Sequence, residues 1–222
     1  EIKQADPTAK IVSTSLLNWV FTCEGCQGYT NGETWLQAFM TEYLSINGGE
    51  PPPVDVWAID TYPIDWTDTP NGAQHVSIVT DQLEGFRQYL NGFPEYVNTP
   101  IWITEIAVHV GYDDWDIQEG KLVPVGSYHW DDMSAYLVGV LDWLEANAAA
   151  NKIEKWFFYT SWRDIVSASA DGYMGIVFFG GPPSAQRPEV GAPLNCLGEI
   201  YRARATGGDR LVCDSSGNTV QE

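Results

Sequence analysis

The chain has 222 residues, 44% hydrophobic and 18% charged, enough to bury a full core and unlike the composition of a disordered or collagen-like polypeptide. Thirty acidic against eleven basic side chains give a formal net charge of -19, a field that repels nucleic acid and anionic membranes. No run of about 18 apolar residues is present to span a bilayer, and the opening EIKQADPTAK lacks the shape of a signal peptide.

In chain order, four apolar runs recur at intervals of about 45 residues: AKIVSTSLLNW from residue 9, VDVWAIDTYP from 54, TPIWITEIAV from 99 and EKWFFYTSW from 154. Each is short and continuous, as strands covered on both faces are. The intervals hold segments of helical period, ETWLQAFMTEYLSING, HVSIVTDQLEGFRQYLNG and DDMSAYLVGVLDWLEANAAA, and Asn47-Gly48 and Asn91-Gly92 stand as C-terminal stop signals. Strand, loop, helix and strand in repetition predict an α/β chain with a parallel sheet. After the fourth run, GYMGIVFFGG reads as part of a hairpin feeding a final helix, and residues 207–222 read as a polar tail anchored at Cys213.

Parallel α/β folds collect chemistry at the C-terminal ends of their strands. Polar and aromatic residues stand at those ends here: Asn18-Trp19, Asp60 with Tyr62, Thr104-Glu105, and Ser161-Trp162-Arg163-Asp164. The loops after them, including PIDWTDTPNG and HVGYDDWDIQEGKLVPVGSYHWDD, are long and rich in Trp, Asp, Gly and Pro, as the rim of a cleft would be. Glu105 is the residue that most needs a reason. It interrupts Ile101-Trp102-Ile103 just before Ile106 and Ala107, and a buried carboxylate is expensive unless it is paired, neutralised or used. Ten Trp, eleven Tyr and eight Phe supply flat apolar faces suited to stacking on sugar rings, although most such residues belong to cores.

The four cysteines fall as Cys23 and Cys26 in FTCEGCQG, then Cys196 and Cys213. A four-cysteine zinc site would need close spacing in the second pair as well, and a thioredoxin-type pair would need a helix directly after the CxxC. The preferred reading is two structural disulfides, Cys23–Cys26 and Cys196–Cys213, with export to an oxidising, extracellular compartment as the consequence.

VDVWAIDTYP, PIWITEIAVH and WFFYTSW, in that order, resemble the sixth, seventh and eighth strands of the clan of retaining glycoside hydrolases built on a (β/α)8 barrel, especially bacterial proteins related to families 39 and 128. The resemblance implies that residues 1–206 are the C-terminal half of a TIM barrel, strands five to eight. It implies that Glu105 is the nucleophile, that Tyr62 donates a hydrogen bond orienting it, and that Trp162 floors the sugar subsite. Asp60, Asn18 and Trp19 are the further substrate-binding candidates; Asp60 stands where relatives often carry His. A carbohydrate is the implied substrate, and no metal or cofactor is called for. The clan's general acid, a Glu after Asn at the end of strand four, has no counterpart in these 222 residues.

Two other readings stay open. One is a non-catalytic carbohydrate-binding or surface protein that keeps the cleft without the acid. The other is a metal-dependent hydrolase using Asp60, Glu105 and His109. The opening within what reads as a helix is taken as truncation, and half a barrel leaves two sheet edges for an N-terminal half or a second copy to cover.

Overall fold

A computed structural model of the chain describes residues 2–20, 30–63, 76–107, 115–118, 121–124, 130–159 and 193–222. The elements run α1 (Ile2–Ala5), β1 (Leu16–Leu17), α2 (Gly32–Ile46), β2 (Trp57–Thr61), α3 (Val76–Leu90), β3 (Ile101–Ile106), β4 (Trp115–Gln118), β5 (Lys121–Pro124), α4 (Trp130–Asn147), β6 (Ile153–Phe158), α5 (Cys196–Thr206), β7 (Leu211–Cys213) and β8 (Thr219–Gln221). Asn31 caps α2 by accepting the Thr34 N–H at 2.8 Å, and the chain leaves that helix through Gly48 at φ +68°, a left-handed turn that suits glycine.

The main sheet is parallel throughout, in the order β1-β2-β3-β6. Spatial order thus matches chain order, with the antiparallel β4–β5 hairpin inserted in the long loop between β3 and α4. Right-handed crossovers between neighbours taken in succession place every helix on the same face, whereas a doubly wound sheet reverses its order and is covered on both faces. The core agrees with the first arrangement. Leu16, Trp57, Ile59, Ile101, Ile103 and Ile106 pack in one cluster with Leu36 and Met40 of α2, Val79, Leu83 and Phe86 of α3, and Met133, Leu137 and Val140 of α4. Along β6 the residues packed on that cluster are Trp156 and Phe158, so Phe157, 50% exposed, faces the opposite way, as does Leu17. An α/β chain with a singly wound, four-stranded parallel sheet is a partial TIM-barrel-like core, the fold class expected from the sequence.

Two segments depart from expectation. The first apolar run gives only a two-residue strand, because Ser13 diverts the ladder. Its backbone N–H donates to Val56 O at 2.9 Å, and its hydroxyl accepts the Ala58 N–H at 2.8 Å. Residues 207–222 are more than a tail: β7 and β8 pair as a hairpin on α4 and α5, closed by a turn around Asp214. Cys213 is bonded to Cys196 as expected, its N–H donates to the buried Ser134 hydroxyl at 2.8 Å, and Arg210 pairs with Asp142 and Glu222. Cys23, Cys26 and the expected hairpin before α5 lie outside the described residues.

Candidate active site

The site is built at the C-terminal ends of β2 and β3. Their ladder pairs Ile59 with Ile103 and then Asp60 with Glu105, so Thr104 is one residue extra on β3. Such a bulge re-aims the side chains beyond it. Simple alternation from Ile101 and Ile103 would turn Glu105 toward the helices; the inserted Thr104 turns it to the opposite face and returns Ile106, fully buried, to the core. This is why an apolar run can hold a carboxylate one residue before it resumes.

Glu105 is half-buried, and its Oε2 accepts a hydrogen bond from the Tyr62 hydroxyl. Tyr62 is 3% exposed. Burial first, then the hydrogen bond to Glu105 and the charges of Glu105 and Asp60, push its phenol well above the ordinary tyrosine value, so it stays a donor. Beside this pair, Asp60 Oδ1 lies 2.7 Å from both the Ser15 and Thr104 hydroxyl oxygens, which approach each other to 2.6 Å. Two carboxylates on adjacent strands, one oriented by a buried phenol and the other by two hydroxyls, line the end of the sheet.

Asn18 and Trp19, the substrate-binding candidates nearest β1, are both buried. Asn18 is fully buried, with φ at +51°, and its side-chain oxygen accepts the Tyr62 N–H at 2.8 Å. Trp19 is 3% exposed and packs its ring on Phe86 and Tyr89, with centroids 5.1 and 5.3 Å away. Both belong to the scaffold behind the site, because β1 ends by folding back under α2 and not by opening to the cleft: Gly32 N–H donates to Asn18 O, and Glu33 N–H to Trp19 O. Trp162, His109 and Asp164 lie outside the described residues. Among the described residues no three His, Cys, Asp or Glu side chains assemble as a metal cluster.

One residue of this scaffold went unnoticed in the sequence. Gln82, fully buried on α3, accepts the Trp19 N–H at 2.7 Å and donates to Tyr62 O at 3.1 Å. The available signal was a glutamine on the core-facing stripe of a helix, among Val79, Leu83 and Phe86, where a polar side chain must find partners.

The result is a carboxylate held at a strand end by a buried tyrosine, on a singly wound parallel sheet. The model of the glycosyl hydrolase catalytic core matches residues 2–175. The chain belongs to the glycosyl hydrolase catalytic core family. Searches of curated proteins and of solved structures each found no match. The matched span of this glycosyl hydrolase core contains β1, β2, β3 and β6, and with them Asp60, Tyr62 and Glu105.

Proposed function

We propose that the chain carries the nucleophile of an extracellular retaining β-glycosidase acting on a polysaccharide or oligosaccharide. The observation that supports this most is the Tyr62 hydroxyl bonded to the half-buried Glu105 carboxylate at the end of β3. A retaining glycosidase needs a carboxylate ionised, oriented and facing the sugar. Glu105 attacks the anomeric carbon, the glycosidic C–O bond breaks, and a carboxylic acid about 5 Å away protonates the departing oxygen. Water, deprotonated by that second group, then attacks the glycosyl ester and releases Glu105. Tyr62 keeps one carboxylate oxygen engaged and leaves the other toward the substrate. Asp60, with Ser15 and Thr104, offers acceptors and donors for a sugar hydroxyl.

In this proposal the general acid comes from strands that complete the barrel beyond the edge strands β1 and β6. β1, β2, β3 and β6 are then strands five to eight of the barrel, as the clan resemblance implies. The Cys196–Cys213 disulfide accords with secretion. The test is Glu105→Gln in the enzyme, assayed on a panel of glucans, xylans and mannans. Turnover lost with substrate binding retained supports the assignment, and unchanged turnover eliminates it. Wild-type binding to a panel member with no turnover at all would replace the enzyme by a carbohydrate-binding protein.

A further inference from the structure

We infer that Gln82, acting with Asn18, is a positioning residue that sets the aim of Tyr62 on Glu105; the inference rests on the catalytic reading of Glu105. The last ladder pair between β2 and β3 is Thr61 with Ile106, so Tyr62 is one residue beyond the sheet. Its N–H and C=O would be orphaned there, and buried backbone groups require partners. Both partners are side-chain amides: Asn18 takes the N–H at 2.8 Å and Gln82 supplies the donor to the C=O at 3.1 Å.

The polarity of this clamp has one solution. Trp19 N–H presents only a donor and Tyr62 C=O only an acceptor, so the Gln82 amide has its oxygen on Trp19 and its nitrogen on Tyr62. One glutamine therefore ties the ends of β1 and β2 together, from a helix whose own position is set by Val79, Leu83 and Phe86 in the core. Asn18 is fixed in turn, since its N–H donates to Asp60 O at 2.8 Å and its C=O accepts Gly32 N–H at 3.1 Å. With the backbone of Tyr62 held on both sides, the point from which its phenol reaches is fixed, and in the rotamer it adopts the hydroxyl meets Glu105. Among the described residues the hydrogen bonds of the Gln82 side chain go to the backbone of Trp19 and Tyr62, so its influence on Glu105 passes through Tyr62.

The test compares Gln82→Met, nearly the same in volume but without hydrogen bonds, with Leu144→Ala, a core truncation near the C-terminal end of α4 that leaves the clamp intact. Two readouts are taken: kinetics of the enzyme, corrected for folded fraction, and the ring-carbon resonance of Tyr62 in protein made with 13C-tyrosine, at neutral pH. Glu105→Gln sets the scale of that resonance by removing the charge its hydroxyl meets. For Gln82→Met we expect a Tyr62 displacement comparable to that of Glu105→Gln, and kcat lower by about 10- to 100-fold with little change in KM. Leu144→Ala should lower thermal stability and leave both readouts at the parent values. If Gln82→Met does not fold, Asn18→Gly keeps the left-handed backbone, removes the acceptor for Tyr62 N–H and carries the same expectation. A parental Tyr62 resonance and kcat in a folded clamp variant overturn the inference. Full turnover in Glu105→Gln overturns the catalytic reading, while the resonance still decides whether the clamp aims Tyr62.

Discussion

Gly32→Ala probes the junction on which the site is mounted. Gly32 opens α2, is buried, and donates its N–H to the Asn18 carbonyl at 3.1 Å. A Cβ built on it would lie 2.4 Å from that carbonyl oxygen and 3.3 Å from Leu16 Cβ, where real Cβ atoms stay beyond 3.0 Å. The backbone must therefore yield by at least the difference between 3.0 and 2.4 Å, or 0.6 Å. Asn18 has little room to give, because its N–H and side-chain oxygen are each engaged at 2.8 Å. Overpacking against such a backbone costs about 2–3 kcal/mol. At about 2–4 °C per kcal/mol for a chain of this size, the melting temperature should fall by about 4–12 °C. Gly85→Ala is the contrast: its Cβ would meet two indole atoms of Trp19 at 3.0 and 3.1 Å, and a helix-propensity gain of about 1 kcal/mol offsets that crowding. Calorimetry of both variants decides the matter. A Gly32→Ala melting temperature within about 1 °C of the parent would refute the claim that α2 is seated on Asn18.

Tyr62→Phe deletes a hydrogen bond from a buried phenol to a charged acceptor; at about 1.5–3 kcal/mol, turnover should fall by about 10- to 150-fold, measured as kcat on the best panel substrate. Opening the Cys196–Cys213 disulfide frees a loop with a sequence separation of 17 residues and should cost about 3 kcal/mol in the chain-entropy model, read as a lower urea midpoint after reduction. Burial raises the phenols of Tyr62, Tyr96 and Tyr136 above the ordinary value of 10, so the unfolded chain ionises first as pH rises. Their contribution is complete below about pH 10 and is lost progressively above it. Tyr136→Phe should flatten that alkaline loss; its hydroxyl is buried without a hydrogen-bond partner, so stability at neutral pH should hold or improve.

The strands and helices of this chain were legible because their signals are periodic and local. Trp57 to Ile59 and Ile101 to Ile103 are continuous apolar runs, and α2, α3 and α4 each carry a stripe that the core absorbs. The position of Glu105 was legible for the same reason, since strand ends can be located from where the apolar run breaks. The direction of its side chain was not. It depends on a bulge at Thr104, and a bulge leaves no mark in a pattern that reads equally well without it. The burial of Trp19 and Asn18 was hidden by the same gap: the rule that chemistry gathers at strand ends says where a residue stands and not which way it faces. Gln82 escaped notice because its partners are backbone groups 63 and 20 residues away along the chain. The hairpin at 211–221 was hidden by polar composition, although Leu211 and Cys213 alternate inward as a strand requires.

Trapping the glycosyl intermediate tests the central claim most directly. The enzyme is incubated with activated 2-fluoro glycosides matched to its substrate, whose intermediate forms and hydrolyses slowly, then digested and mapped by mass spectrometry. The account predicts one added glycosyl mass on the peptide containing Glu105, lost in Glu105→Gln. A label on a different carboxylate, with Glu105 unmodified, would contradict it.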